Sequence, residues 1–287
     1  MILCCGEALI DFLPGKTAEG AAAYEPVCGG SVYNTAIALG RLGVPVGLFT
    51  GLSTDFFGDM LREGLKASKV SLAFIKDWDK PSTLAFVKLT KGHARYSFFD
   101  DNSAGRMLTK RDLPKLAKSV QALHFGSISL IPEPGGDTLE ALMKREAKGK
   151  VICLDPNIRP GMIKDRRKHM ARLTRMIAMA DIVKVSDEDV AWMTGKDDAA
   201  AAAKKWLKLG AKLVVVTRGD RSHDAKRELD GRRRRNDRHQ NHPGPQQQQE
   251  LIKKMRHRVQ RVHKVQDYRL GVHLHQVPPR LHLERRR

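Results

Sequence analysis

Gly29-Gly30-Ser31-Val32-Tyr33-Asn34-Thr35-Ala36-Ile37-Ala38-Leu39-Gly40-Arg41-Leu42-Gly43 decides how this chain is read. Two glycines open it, Ser31 stands where a helix N-cap belongs, and Gly43 stands where a helix stops. Val32, Ala36, Leu39 and Leu42 then fall on one helical face. A glycine pair lets a ligand approach the backbone closely, and a helix N-terminus presents free N–H groups to an oxygen-rich ligand. Asn34, one turn in, both donates and accepts hydrogen bonds. By spacing alone, a tight turn before an ordinary packed helix fits equally well.

The chain alternates on both sides of this unit. Residues 2–5 and 8–13 read as an apolar strand interrupted by Gly6-Glu7, with Asp11 near its end. Asp11 is either a sugar-hydroxyl acceptor or a turn residue. Residues 14–27 read as a loop or short strands. Val46–Thr50 is a buried-type strand, followed by a turn into a helix near 57–67. Strand, helix, strand, helix favours a parallel sheet with crossover helices. Residues 72–77, 83–90 and 94–99 differ: short, rich in β-formers and separated by Asp79-Lys80-Pro81 and Lys91-Gly92-His93. They are expected to form a small antiparallel sheet inserted into the α/β body, as a lid over a cleft or as a dimer interface.

From residue 112 the alternation returns. Strands are expected at 122–127, 151–155, 182–185 and 213–217, and helices at 136–148, 165–179, 187–193 and 198–209. Ligands of such sheets sit at the carboxyl ends of strands. Polar residues cluster there: Asp11, Asp155-Pro156-Asn157-Ile158-Arg159, Ser186-Asp187-Glu188-Asp189 and Thr217-Arg218-Gly219-Asp220. Each alone reads as a loop residue or cap, and Ser186 reads as an N-cap with acids favouring the positive helix end. Four such ends in one sheet converge on one rim.

Composition bounds the rest. The 287 residues contain no apolar run long enough to span a membrane, and the start of the chain lacks a basic region typical of a signal peptide. Cys4, Cys5, Cys28 and Cys153 have no CxxC spacing and read as free thiols of a reducing cytoplasm. The net charge of +20 is uneven. Residues 1–220 hold 33 Lys and Arg against 25 acids; residues 221–287 hold 19 against 7. The body is therefore mildly basic, and interleaved charge of this kind is a solvated surface, which gives no reason to expect a specific nucleic-acid partner.

Together, Gly6-Glu7…Asp11, the Gly29–Gly43 unit, Asp55-Phe56-Phe57-Gly58, Asn102-Ser103-Ala104-Gly105-Arg106, Asp155-Pro156-Asn157-Ile158-Arg159, Lys184-Val185-Ser186-Asp187-Glu188-Asp189 and Thr217-Arg218-Gly219-Asp220 resemble the ribokinase-like (PfkB) family of carbohydrate kinases, the fructokinase branch in particular. The resemblance covers residues 1–220. It implies an α/β fold: a doubly wound, mostly parallel sheet with helices on both faces and a small β-lid within about 72–99. It implies ATP and Mg²⁺, and phosphoryl transfer to a sugar's primary hydroxyl. Asp11, Gly29, Gly30 and Asn34 correspond to the sugar-binding set, and Phe98 on the lid would pack on the sugar. Arg159 would face substrate or phosphate, its fixed fork suiting oxyanions. Ser186, Thr217 and Gly219 would border the nucleotide. Asp189 stands where the family often has a glutamate that organises Mg²⁺ through water. A homodimer through the lid is a further expectation.

The family pattern stops after Asp220. It would continue to a Gly-Ala-Gly-Asp segment whose aspartate is the catalytic base, and residues 221–287 contain no Gly-x-Gly-Asp, so no catalytic base is identified. Arg, His, Gln, Pro and Leu make up 41 of these 67 residues, and Phe, Trp, Thr and Cys are absent. Those five amino acids share codons that begin with C, as a GC-rich gene read out of frame would produce. Arg221-Ser222-His223 can be written CGG-AGC-CAC, which one base later reads Gly-Ala-Thr. Residues from about 221 are accordingly expected to be a frameshift product, a basic low-complexity tail without order, and the kinase domain 1–220 to lack the C-terminal part of its fold. A true disordered basic tail binding nucleic acid or acidic partners nonspecifically is the alternative. The tail histidines lack metalloenzyme spacing, so no zinc site is expected. The expected activity is an impaired fructokinase-type kinase. The alternatives are a 2-dehydro-3-deoxygluconate kinase and a nonenzymatic sugar-binding or basic-tail interaction protein.

Overall fold

The computed structural model describes residues 1–90, 93–218 and 273–276. Its central sheet is built from short apolar runs. β1 (Ile2–Cys5) lies between β4 (Val46–Ser53) and β8 (Ala122–Gly126), parallel to both. The sheet extends on one side to β5 (Ile75–Trp78), and on the other through β9 (Val151–Asp155) and β10 (Ile182–Ser186) to β11 (Leu213–Thr217). All these pairs are parallel. Every residue of β4 is buried, the pattern of a strand covered on both faces. Beyond β11, β12 (His273–Gln276) pairs antiparallel at the edge. The tail expected to lack order thus contributes one strand, and its remaining residues lie outside the described ones.

The helices lie on both faces. α1 (Ser31–Arg41) and α2 (Phe56–Ala67) close one apolar cluster with Cys4, Leu48, Val32, Ala36, Leu61 and Leu65. α3 (Gly135–Glu146), α4 (Arg166–Met179), α5 (Asp187–Thr194) and α6 (Ala199–Leu209) contribute to the larger one on the opposite face. There Leu3, Phe125, Leu154, Val183 and Val214 meet Leu142, Leu173, Met176 and Trp206. Most expected elements appear within one or two residues of their expected bounds. Leu42 is an exception. It falls at the C-cap of α1, beyond the last regular turn, and is 67% exposed.

The small sheet differs from expectation in membership. Its order is β3 (Ala22–Gly29), β2 (Leu9–Lys16), β6 (Leu84–Thr90), β7 (His93–Phe99). The segment after Gly6-Glu7 therefore leaves the central sheet for the lid, and of the two readings of 14–27 the strand one holds: β2 runs on to Lys16 and β3, from Ala22, pairs back on it as a hairpin. The lid is not confined to 72–99, and the strand at 75–78 belongs to the central sheet. A two-residue alternation says that a segment is extended but not which strand it will meet. Phe12 stacks on Phe86 across the lid, centroids 4.5 Å apart.

Arg172 ties α4 to α3. Its guanidinium, 3% exposed, donates to Leu130 O at 2.9 Å and to the carboxylates of Glu133, Asp137 and Glu140. Glu133 and Glu140 keep Lys168 and Arg175 as partners and Asp137 is exposed, so Arg172→Ala leaves chiefly the Leu130 carbonyl without its donor and is expected to lose about 1–3 kcal/mol of unfolding free energy in a urea titration.

Two histidines make the fold sensitive to acid. Burial, with Lys184 nearby, pulls His124 down to about 4, and burial, with Arg172 nearby, does the same for His169. The unfolded chain takes up these protons near pH 6.5, before the folded one does. The stability they confer is thus complete above about 6.5 and falls as pH drops towards 4, by about 1.4 kcal/mol per unit for each histidine. Urea unfolding between pH 7.5 and 5 should show the decline, with a shallower slope in His169→Gln.

Candidate functional site

The start of α1 is gripped from below by one carboxylate. Glu7, between β1 and β2, is buried, and its Oε1 accepts from Ser31 N at 2.8 Å and Val32 N at 3.3 Å. Tyr33 N donates to the Glu7 carbonyl at 3.2 Å. The helix N-terminus expected to be free for a ligand is therefore occupied by the protein itself. The N-cap is Gly30 rather than Ser31, and no side chain of the cap residue serves there. Gly30 has φ +102°, and a Cβ on it would approach the Glu7 carbonyl oxygen to 3.0 Å. Burial pushes the Glu7 carboxyl above its usual range, opposed by backbone donors and by the Ser127 and Ser129 hydroxyls.

With the amides taken, polar groups around them remain. Asp11, half-buried on β2, lies against Gly29 so closely that a Cβ there would be 2.1 Å from Asp11 Oδ2. Burial raises the Asp11 carboxyl and the Arg159 charge lowers it, which places the guanidinium in its field. Arg159 donates to its neighbour's carbonyl, Ile158 O, at 3.0 Å. Asn34 is exposed on α1. Phe98 reaches from β7 to the small apolar cluster of Leu9, Ala85 and Ile128. It also lines a cleft of about 1270 Å³ with Tyr96, Ile158, Arg159 and Met162. The structure thus brings Asp11, Gly29 and Arg159 together and joins Phe98 to Arg159 through the cleft. Asp11, Gly29, Gly30 and Asn34 lie outside that cleft's lining.

At the next strand ends Ser186 and Thr217 stand side by side in register. Ser186 Oγ accepts from Asp189 N at 3.0 Å, and Asp189 Oδ2 accepts from Ser186 N at 3.1 Å, a reciprocal capping box on α5. Asp189 Oδ1 accepts from Ile158 N at 2.9 Å, so this buried carboxylate braces the segment that carries Arg159. Thr217 Oγ1 donates to Val185 O at 3.3 Å. Gly219 lies outside the described residues. Among the described residues no group of three His, Cys, Asp or Glu side chains is placed to hold a metal, and no helix is long and apolar enough to cross a membrane.

Sequence reading missed the backbone beside this rim. Ser127 (φ 61°) and Asn157 (φ 41°), just past β8 and β9, are in the left-handed region that non-glycine residues rarely adopt. Asn157 Nδ2 donates to Ser127 Oγ at 3.3 Å. Such strain collects where a structure over-determines its loops, commonly at binding sites. The only sequence signal was Gly126-Ser127 directly after an apolar strand. Lys184 Nζ pairs with Asp155 Oδ2 at 3.0 Å across β10 and β9.

A mostly parallel sheet flanked by helices and joined through Glu7 to a small four-stranded sheet defines the class of fold. The chain belongs to the pfkB family of carbohydrate kinases, whose family model matches residues 1–249. It is 57% identical over 219 residues to a fructokinase of Rhizobium leguminosarum bv. trifolii, covering 76% of this chain and 67% of that one. The fold resembles the fructokinase of Xylella fastidiosa (TM-score 0.69, 29% identity, 76% of this chain and 70% of that one). It also resembles a Xylella fructokinase structure with bound ATP (TM-score 0.68, 29% identity, 75% and 67%). By family this is a carbohydrate kinase of fructokinase type.

The Glu7 grip is testable. Glu7→Ala strands two amides and is expected to cost about 1–3 kcal/mol in chemical denaturation, whereas Glu7→Gln keeps an acceptor and retains most of the stability.

Proposed function

We propose that this chain descends from an ATP-dependent fructokinase and that its own phosphoryl transfer is impaired. In the parent reaction the γ-phosphoryl of ATP passes to a primary sugar hydroxyl, leaving ADP and the hydroxyl proton. One observation carries the sugar assignment: Asp11 against Gly29 in the field of Arg159, in a chain 57% identical to a named fructokinase. Asp11, Gly29, Gly30 and Asn34 would hold the sugar hydroxyls, Phe98 would pack on the ring, and Arg159 would meet the developing phosphate charge. Ser186, Thr217 and Gly219 would border ATP, a reading supported by the ATP-bound relative. Mg²⁺ would arrive with the ATP phosphates and neutralise their charge. Both Asp189 oxygens already accept backbone amides, which favours an indirect role through water. Exposed Leu13, Tyr24, Val27, Tyr96 and Phe99 on the lid support a homodimer through it. The four unpaired cysteines support a cytoplasmic setting.

The impairment rests on sequence. The chain divides into a kinase domain, 1–220, and a basic tail, 221–287, which replaces the Gly-Ala-Gly-Asp segment and is read as a frameshift product. Loss of the base and its oxyanion donors removes several orders of magnitude in rate. The chain as written is therefore expected to show no ATP-dependent fructose phosphorylation above background. The product of a frame-restored gene is expected to phosphorylate fructose in preference to 2-dehydro-3-deoxygluconate. Turnover by the chain as written at the level of an intact kinase refutes the impairment; preference for the acidic sugar refutes the fructokinase assignment. Resequencing codons 215–225 in independent isolates tests the frameshift directly, and an intact frame overturns it.

A further inference from the structure

The cleft beside Phe98 draws its charges from two places. The segment after β9 and the starts of α4 and α5 give Arg159, Lys164 and Lys168 against Asp165 and Glu188. The segment after β7 gives Asp100 and Asp101 against Arg106. The first group favours negative charge on a bound molecule, and the second disfavours it.

Within the second group Asp100 is the acid held inside the protein. Its side chain is 11% exposed, whereas that of Asp101 is 92% exposed, where water and salt screen its charge. Thr83 Oγ1 and Ser103 Oγ each donate to Asp100 Oδ1 at 2.8 Å. Asp100 Oδ2 is left with Arg106 Nη1 at 3.9 Å, beyond hydrogen-bond reach, and that nitrogen donates to Asp101 Oδ1 at 2.7 Å. Burial pushes the Asp100 carboxyl upward, while the two hydroxyls and Arg106 favour its charged form. Residues two apart along an extended chain share a side and stand about 7 Å from each other. Phe98 and Asp100 are so related at the end of β7, and both line the cleft. A ring that packs on Phe98 therefore has the Asp100 carboxylate beside it.

We propose that Asp100 is a specificity-determining residue: its Oδ2 accepts a hydroxyl of a neutral sugar, and its charge turns away a sugar acid. The proposal rests on the sugar-kinase reading of this cleft and adds the substrate charge that the cleft admits. In 2-dehydro-3-deoxygluconate the carboxylate and the primary hydroxyl stand at opposite ends of the carbon chain. With the primary hydroxyl turned to Arg159, the carboxylate is turned to the Asp100 end. Two carboxylates in a partly buried cleft repel, and Arg106 is engaged by Asp101, so the acid loses its hydration without gaining a donor. A hydroxyl in the same place meets an acceptor.

The test measures binding of fructose, of 2-dehydro-3-deoxygluconate and of its neutral methyl ester to the full 287-residue chain by titration calorimetry at pH 8. ATP is left out, so impaired transfer does not enter the readout. The parent chain is expected to bind fructose, and to bind the ester at least about tenfold more tightly than the acid, which is about 1.4 kcal/mol. Asp100→Asn keeps the shape and one acceptor, and is expected to bring acid and ester within about threefold of each other with fructose affinity changed by no more than that. Ser103→Ala disturbs the same cluster but keeps the charge, and is expected to keep the ester preference. The comparison of acid and ester on the parent chain needs no variant, and urea midpoints report whether both variants fold. Equal binding of acid and ester by the parent chain overturns the proposal. So does an ester preference that survives Asp100→Asn or that Ser103→Ala removes. Fructose binding alongside any of these results leaves the sugar-kinase reading standing. A parent chain that binds none of the three compounds sinks that reading and the proposal with it.

Discussion

One buried carboxylate holds the two sheets and the start of α1 in a common frame. Glu7 sits at the junction where the chain leaves β1 in the central sheet and enters β2 in the lid. From there it takes the first amides of α1, two through its side chain and one through its carbonyl. An orphan helix N-terminus in a buried place must be satisfied, and a carboxylate does so with charge as well as geometry. The consequence reaches the site. Gly30 is held against Glu7, which presents Gly29 to Asp11 and leaves Asn34 exposed one turn on. Asp11 and Gly29 thus stand beside a residue whose Oε1 and carbonyl serve the first amides of α1.

A second carboxylate plays the same part at the other end of the rim. Asp189 spends both oxygens on the amides of Ser186 and Ile158, and so fixes the start of α5 against the segment that carries Arg159. Asp155 is bound sideways by Lys184. Charged side chains in this rim therefore differ in what they meet: Glu7 and Asp189 accept backbone amides, Asp155 pairs with Lys184, and Asp11 lies against Gly29 in the field of Arg159. Residue type alone does not make that difference, because an aspartate at a strand end serves any of these purposes.

Much of the fold was legible because its strands and helices are short-range patterns. The apolar runs at 46–50, 122–126, 151–155 and 213–217 and the amphipathic stretches between them are local, and a helix or strand follows from them with little help from elsewhere. Sheet membership was not. Ile75–Trp78 and Leu84–Thr90 look alike in sequence, yet one extends the central sheet and the other the lid. Nor did the sequence announce that the hairpin arm at Ala22–Gly29 belongs to the lid. The closeness of Asp11 to Gly29 joins two positions that the sequence reading had grouped. The strained Ser127 and Asn157 were not legible, since no residue type there demands a positive φ.

The sequence by itself determined the α/β alternation, the apolar strands, the helix cap at Ser186, and the break in composition after Asp220. Each is a property of neighbouring residues and needs no distant partner. Only the tertiary structure decided that Glu7 rather than Ser31 serves the start of α1, that Asp11 lies against Gly29, and that β2 and β3 belong to the small sheet. Those facts depend on contacts between segments far apart in the chain. Their hydrogen bonds and packing are chosen by geometry across the fold, which a one-dimensional pattern does not contain.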